Sequence, residues 1–259
     1  MTDGRPGPHP VPARTGYPLW RLLAELRGAR FVDLTQSFRP GIPHPAGLPD
    51  EERTTLFDHG SDGFQTHLYS HVGQWGTHVD PPVHFVEGGR CLDEIPVDEM
   101  VLPLVVFDIS DIGRTDPDYE LRVEDVLAWE DRYGQVPAGA FAALRTDWSK
   151  RWPDPVAMAN RDADGVAHWP AWSVPALRFL CEERHITACG HETTDTDAGY
   201  VVTGLAWPAE AFLLHQDKYQ IELMANLDSV APAGAVIVAS FPKAEKGSGF
   251  PARAFAITP

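Results

Sequence analysis

Thirteen residues, GQWGTHVDPPVHF (73–85), constrain this chain more than any other segment, because their backbone favours a strand that stops abruptly. The Pro-Pro pair lacks backbone N–H groups, so strand pairing ends there. In an extended segment alternate side chains share a face, which places Gln74, His78 and Asp80 together. An amide oxygen, an imidazole nitrogen and a carboxylate are suitable ligands for zinc or manganese. The segment therefore predicts a metal site next to a turn.

His84 follows the Pro-Pro pair and is predicted to lie beside the metal. An imidazole titrates near neutral pH, which suits a general base and acid. Six of the eleven histidines fall between His44 and His84, and this clustering favours a functional explanation. Because a bound divalent ion can lower the pKa of water from about 15.7 to about 7, the pattern indicates metal-assisted hydrolysis.

The composition limits the partners. The 259 residues carry a net charge of −16, and a field of that sign repels phosphate backbones and anionic lipids, so neither nucleic acid nor a membrane is expected. The longest apolar runs are too short to cross a bilayer, and the first residues lack the apolar stretch of a signal peptide. The three cysteines form no disulfide or zinc spacing. We expect a cytoplasmic protein that acts on a small molecule.

The order of helix and strand patterns predicts one domain. Residues 1–17 are rich in Pro, Gly and Arg and are expected to form a flexible tail, whereas residues 18–259 are expected to form the domain. Residues 39–63 contain four prolines and four glycines and are predicted to be a long loop. Strand and helix patterns mix without regular alternation. The fold class is therefore α/β, with a mixed sheet and flanking helices.

Residues 74–85 resemble the signature H-x-G-T-H-x-D-x-P-x-H-F of the cyclase family of metal-dependent hydrolases, which includes kynurenine formamidases and isatin hydrolases. Other segments agree in order along the chain, namely VDLT at 32–35, GIPHPAG at 41–47, LRTDWSKRW at 144–152, GHETTDTD at 190–197 and IELMANLD at 221–228. The ending FPKAEKGSGFPARAFAI at 241–257 agrees too. The resemblance implies a single compact α/β domain.

The resemblance also assigns roles to residues. It makes metal ligands of His78, Asp80 and Glu222, and a proton shuttle of His84. Two positions depart from the family: Gln74 stands where the signature has histidine, and Glu210 stands where two-metal members have a histidine twelve residues before the closing glutamate. His215, seven residues before that glutamate, lies near the same position. We expect zinc or manganese, with one or two ions per chain.

Further polar residues are candidates for a second ion or for holding a ligand in place. His191 and Glu192 adjoin the polar turn of residues 193–195, which the family places next to the metal. His71 has the opposite strand parity to His78, so it is expected to support a ligand rather than to bind the ion. Four residues are candidates for an aromatic substrate pocket: Trp75, His44, Phe64 and Tyr69.

The leading hypothesis is a hydrolase that cleaves a C–N amide bond of a small cyclic or N-acyl, aromatic substrate, with metal-activated water and a histidine proton shuttle. Two alternatives stay open. One is a metal-dependent cyclase, lyase or dehydratase that stabilises an enolate. The other is a family member that binds a small molecule without turnover. By analogy with the family, a homo-oligomer, either a dimer or a tetramer, is expected.

Overall fold

The sheet that includes residues 78–80 of the GQWGTHVDPPVHF segment is built from distant parts of the chain. The computed structural model describes residues 16–45 and 47–259, so most of the expected tail lies outside the described residues. Within them nine strands form one sheet: β1 (Arg30–Asp33), β4 (His78–Asp80), β5 (Val101–Asp108), β7 (Phe141–Arg145), β9 (Ala188–His191), β10 (Tyr219–Glu222), β11 (Ala235–Ser240), β12 (Phe250–Pro251) and β13 (Arg253–Thr258). Their order across the sheet is β1-β13-β11-β5-β7-β9-β10-β4-β12.

The sheet is mixed, as the sequence predicts. The block β5-β7-β9-β10 is parallel, and the neighbouring pairs on both of its sides are antiparallel. Two small two-stranded sheets lie outside it, formed by β2 (Glu52–Phe57) with β3 (Thr66–Ser70) and by β6 (Glu120–Leu121) with β8 (Ala171–Trp172). No helix in the described part of the chain has the length and apolar character needed to span a membrane.

Seven α-helices occur among the described residues: α1 (Pro18–Leu26), α2 (Ser110–Thr115), α3 (Val123–Tyr133), α4 (Pro155–Ala159), α5 (Val174–Glu182), α6 (Gly199–Thr203) and α7 (Pro208–His215). Helix α5 begins where the sequence predicts, because the Ser173 hydroxyl accepts a hydrogen bond from the Ala176 N–H at the helix start. Helices α3, α5 and α7 pack on one face of the sheet. The chain is thus a single compact α/β domain.

The strands at the centre are apolar on both faces. Alternate residues of β5 belong to two clusters, with Leu104 and Val106 in one and Val105 and Phe107 in the other. Central strands buried on both sides are typical of a parallel block. The second cluster includes the α5 residues Leu177 and Leu180.

The prediction of a loop over residues 39–63 is wrong for its last part, because β2 (Glu52–Phe57) lies within it. The prolines of that stretch end at Pro49 and its next glycine is Gly60, so the intervening residues are free to pair. They pair with β3 as an antiparallel hairpin. Every residue of β2 is exposed.

Candidate metal centre and adjoining pocket

Strands β4 and β10 bring four polar side chains to one face of the sheet. Their antiparallel register places His78 opposite Glu222 and Asp80 opposite Gln220. The alternate residues of both strands, including Val79 and Ile221, belong to the apolar cluster on the other face. Because the side chains of cross-strand pairs point the same way, the four polar groups must converge.

The convergence is close enough for one ion. His78 Nε2 lies 3.2 Å from Asp80 Oδ2 and 3.5 Å from Glu222 Oε2. One ligand atom from each of these three residues can be chosen so that all lie within 4.8 Å of one another. The Gly76 carbonyl accepts a hydrogen bond from His78 Nδ1 at 2.8 Å, which leaves Nε2 unprotonated in the neutral ring. This tautomer is the one that can donate an electron pair to a metal.

Gln74 and His84 form the outer side of the group. The Gln74 amide nitrogen donates to Asp80 Oδ1 at 3.1 Å and to the Ser248 carbonyl at 2.9 Å. It also lies 3.4 Å from His84 Nδ1. His84 Nε2 lies 3.8 Å from Glu210 Oε1, and 29% of the His84 side chain is exposed. His84 is therefore more open to a substrate than His78, Asp80, Glu210 and Glu222, whose side chains are 6% exposed or less.

Gln220 is a site residue that the sequence reasoning missed. Its amide nitrogen lies 3.0 Å from Glu210 Oε1, 3.0 Å from Glu222 Oε1 and 3.4 Å from Asp80 Oδ2. Its amide oxygen accepts a hydrogen bond from the Thr196 hydroxyl at 2.6 Å. The signal was available, because Gln220 precedes Glu222 by two residues and strand alternation places both on one face.

A second group of carboxyl oxygens adjoins the first and shares Glu222 with it. Asp195, Glu210 and Glu222 offer oxygens within 4.8 Å of one another. Glu210 is held there by Asp197, whose carboxylate accepts hydrogen bonds from the Ala209 and Glu210 N–H groups at the start of α7. Asp195 is held by the Trp207 indole N–H at 3.0 Å and by the Asp197 N–H at 3.1 Å.

The crowding of four carboxyl groups sets their pKa values. Burial and the neighbouring negative charges raise the pKa of Glu210 and of Glu222 well above the ordinary value. Burial, together with the charge of Asp197, raises the pKa of Asp195 to about 8. Burial also opposes ionisation of Asp80, but the adjacent His78 outweighs it and holds the Asp80 pKa at about 2.

The cluster of described residues holds more carboxyl groups than imidazoles. Burial lowers the pKa of His78, but attraction to Asp80 overcomes it, so the net shift is upward. The imidazoles of His78 and His84 cannot balance three buried carboxyl groups and the half-buried Asp195, and a divalent cation would. The donor set also fits such an ion, since imidazole, carboxylate and amide oxygen suit manganese or zinc.

His191 supports Glu222 from the next strand. Its Nε2 lies 3.3 Å from Glu222 Oε1, and the Thr193 hydroxyl lies 2.9 Å from its Nδ1. Complete burial, with the nearby charge of His78, lowers the pKa of His191 to about 3. The ring is therefore neutral.

Three other candidates point elsewhere. Glu192 turns away from the group and accepts hydrogen bonds from the N–H groups of Thr146 and Asp147 and from the Ser149 hydroxyl. His215 is exposed at the end of α7, where its Nδ1 lies 2.7 Å from the Ala211 carbonyl. His71 lies with its ring against Phe38 and Phe250. The structure does not bring these three into the cluster.

An apolar cavity of about 290 Å³ adjoins the cluster at Asp195. Its walls include Met158, Trp169, Leu205 and Trp207, and His44 lies at its edge. Of the four aromatic pocket candidates, His44 lines this cavity. Trp75 is fully buried beneath His44, while Phe64 and Tyr69 lie on or near the exposed β2–β3 hairpin.

The chain is similar to known proteins over most of its length. A family model described as "Putative cyclase" matches residues 32–198. The chain is 33% identical over 243 residues to an isatin hydrolase of Roseibium aggregatum, covering 88% of this chain and 91% of that protein. Isatin hydrolase A from Ralstonia solanacearum superposes with a TM-score of 0.86 at 35% identity, over 95% of this chain and 98% of that one. An isatin hydrolase bound to the product analogue thioisatinate superposes with a TM-score of 0.86 at 30% identity, over 93% and 97%.

Proposed function

The chain belongs to the cyclase family, and on that premise we propose that it is a metal-dependent hydrolase of small aromatic lactams or N-acyl amides. The observation that carries the proposal is the β4–β10 register, which sets an imidazole, two carboxylates and an amide around one point. An apolar cavity of about 290 Å³ adjoins the cluster at Asp195. Such a cavity suits a small ring system rather than a polymer. Isatin, the lactam in the names of the relatives, is the first substrate to test.

The proposed ligands are His78, Asp80 and Glu222, with the amides of Gln74 and Gln220 beside them. Either amide can present its oxygen instead of its nitrogen by a half turn of the carboxamide. When bound, the cation supplies Lewis-acid polarisation of the substrate carbonyl and a lowered pKa for water. The buried carboxyl groups of Asp80, Glu210 and Glu222 would hold that charge.

The proton steps are assigned to His84. In the proposed reaction His84 takes a proton from the water whose oxygen attacks the amide carbon. The C–N bond then breaks, and His84 returns that proton to the leaving nitrogen, so the products are a carboxylic acid and an amine. Glu210 Oε1 lies 3.8 Å from His84 Nε2, so a carboxyl group adjoins the ring that moves the proton.

The test is hydrolysis in oxygen-18 water. Only hydrolysis must place solvent oxygen in the new carboxylic acid, whereas a lyase or dehydratase need not. We expect one labelled oxygen per isatin opened by the metal-loaded enzyme, and loss of the reaction in Asp80→Ala. Turnover of a substrate without labelled acid would favour the lyase alternative. No turnover of any lactam or N-acyl amide with added manganese or zinc would favour a binding protein.

We propose manganese as the preferred ion. Gln74 replaces an imidazole by an amide, and Glu210 replaces another by a carboxylate, so the donor set is richer in oxygen than the family pattern. The carboxyl groups of Asp195, Glu210 and Glu222 leave room for one or two ions. Elemental analysis of the purified protein, with Asp80→Ala as the comparison and the exposed Glu182→Ala as the control, counts them.

We also propose a homo-oligomer, either a dimer or a tetramer. Helix α1 contains no buried residue, and three of its apolar residues, Leu19, Trp20 and Leu22, are more than half exposed. The β2–β3 hairpin exposes Leu56 and Leu68 too, and an isolated two-stranded hairpin is marginal in water. A second copy covering these surfaces would stabilise both. Light scattering of the wild type and of Leu22→Glu tests this; a monomeric wild type would contradict it. A cytoplasmic location stays a prediction.

A further inference from the structure

Some polar groups that line the apolar cavity already form hydrogen bonds within the protein, whereas others can still form one with a ligand. The indole N–H of Trp207 donates to Asp195 Oδ2 at 3.0 Å, and that of Trp169 donates to the Asp197 carbonyl at 2.8 Å. The Thr203 hydroxyl donates to the Gly199 carbonyl at 2.9 Å. Three donors in the described lining are therefore already engaged within the protein. Arg161, at the exposed edge, donates to the Gly165 carbonyl.

The acceptors of the cavity remain available. Each carboxyl oxygen of Asp195 receives one N–H and has two lone pairs, so acceptor capacity is left over. His44 Nδ1 lies 2.8 Å from the Ile42 carbonyl, and a carbonyl only accepts, so this nitrogen carries the proton. In the neutral ring His44 Nε2 is then an acceptor as well. The Thr194 hydroxyl, which also lines the cavity, can donate or accept a hydrogen bond.

Asp195 also marks the end of the cavity that is nearest the proposed metal site. Its carboxyl group lies with those of Glu210 and Glu222 in one group of oxygens within 4.8 Å, and Asp195 itself is half-buried on the cavity wall. A substrate that turns its amide carbon toward the cluster has its amide nitrogen one bond away. That nitrogen can reach Asp195.

We propose that Asp195 accepts a hydrogen bond from the N–H of the scissile amide, with His44 as the second acceptor of the cavity. The pocket then selects lactams and secondary amides with an unsubstituted nitrogen over N-alkyl lactams. It also disfavours ligands of the same shape that lack the N–H. This inference rests on the proposed function for the identity of the scissile bond, but the recognition of an N–H can be measured without turnover.

The first experiment is calorimetric binding of oxindole and of 2-indanone, which share one bicyclic shape and differ by N–H against CH₂. An acceptor left without its donor partner in a buried site weakens binding on the order of tenfold, so the wild type should bind oxindole more tightly by about that factor. In Asp195→Asn two chain donors compete for a single oxygen, and the preference should disappear. In His44→Phe, which keeps a ring against Trp75, the preference should fall in part.

The matched control is Val202→Ala, which changes a cavity wall without touching an acceptor and should affect both ligands equally. Equal binding of the two ligands by the wild type, or binding of neither, overturns the inference. So does a preference that survives in Asp195→Asn. The wild-type comparison decides even if that variant does not fold.

Kinetics provide the second readout. For the metal-loaded wild type we expect kcat/KM for isatin to exceed that for N-methylisatin on the order of 100-fold, because a site that hydrogen-bonds a substrate N–H rejects the analogue without it. Rapid hydrolysis of both compounds would overturn the inference and leave the proposed function standing. Tight, N–H-dependent binding of oxindole without hydrolysis of any amide would overturn the proposed function and leave the inference standing.

Discussion

His78 and Glu222 occupy opposite positions in the antiparallel register of β4 and β10, and His78 Nε2 lies 3.5 Å from Glu222 Oε2. The two residues are 144 positions apart in the chain. Strand pairing, rather than a local turn, therefore builds the candidate metal centre. The backbone hydrogen bonds of the ladder hold both side chains in place before any ion binds.

Replacing His84 should separate proton transfer from metal binding. We expect His84→Ala to lower kcat by roughly 10²–10⁴-fold, the usual contribution of a positioned acid or base, while the metal content stays unchanged. The matched control is His215→Ala, since His215 is exposed and its ring lies against the Ala211 carbonyl of its own helix. Steady-state kinetics and elemental analysis on the same samples provide the readout. A rate near that of the wild type would show that another group moves the proton.

Gln74→His should shift metal preference toward zinc. The substitution adds an imidazole beside Asp80, and imidazole is a better ligand for zinc than an amide oxygen. Competition titration with a chromophoric chelator should show a lower zinc Kd for the variant than for the wild type. Gln135→His, at an exposed position, is the control and should leave the Kd unchanged. Unaltered zinc affinity in Gln74→His would argue that residue 74 does not contact the ion.

Gly190→Ala should destabilise the sheet next to the candidate site. A Cβ at this position would lie 2.6 Å from Met224 Sδ and 2.7 Å from the Ile221 carbonyl oxygen, in a fully packed layer. We expect the free energy of unfolding to fall by about 1–3 kcal/mol, the usual cost of overpacking. Gly16→Ala is the control, since a Cβ there meets nothing within 4 Å. Urea denaturation of both variants measures the difference, and equal midpoints would contradict the packing argument.

The His168 contact should make stability depend on pH. His168 Nδ1 lies 2.8 Å from Asp118 Oδ1, and Nε2 lies 3.3 Å from Asp162 Oδ2. The hydrogen bond to Asp118, with the contact to Asp162, raises the pKa of His168 above its ordinary value of 6.5. A group whose pKa is raised on folding stabilises the fold below its unfolded pKa. That stabilisation is lost as the pH rises through the folded pKa.

Comparing the wild type with His168→Asn therefore tests the sign. Because the contact is partly exposed, the difference in unfolding free energy should be below about 1 kcal/mol. It should be largest below pH 6.5 and should decline at higher pH. His185→Asn, which replaces an exposed histidine outside this contact, is the control. A difference that grows with pH would refute the assigned direction.

The sequence alone was sufficient for the local part of the site. Strand alternation and the Pro-Pro stop put His78 and Asp80 on one face and carried His84 past the strand end, and the structure has this arrangement. The α/β class and the start of α5 also followed from local patterns and a capping serine. Such features depend on residues a few positions apart, so composition and periodicity report them directly.

Strand alternation puts Gln220 on the same face as Glu222, but only the tertiary structure decided which distant groups join His78 and Asp80. Gln220 enters because β10 pairs with β4, Glu210 because Asp197 caps α7, and Asp195 because Trp207 holds it. His215 and Glu192 carry equally suitable atoms but point into other hydrogen bonds. Non-local strand register and helix placement result from the packing of the whole core. No pattern within a short window encodes them.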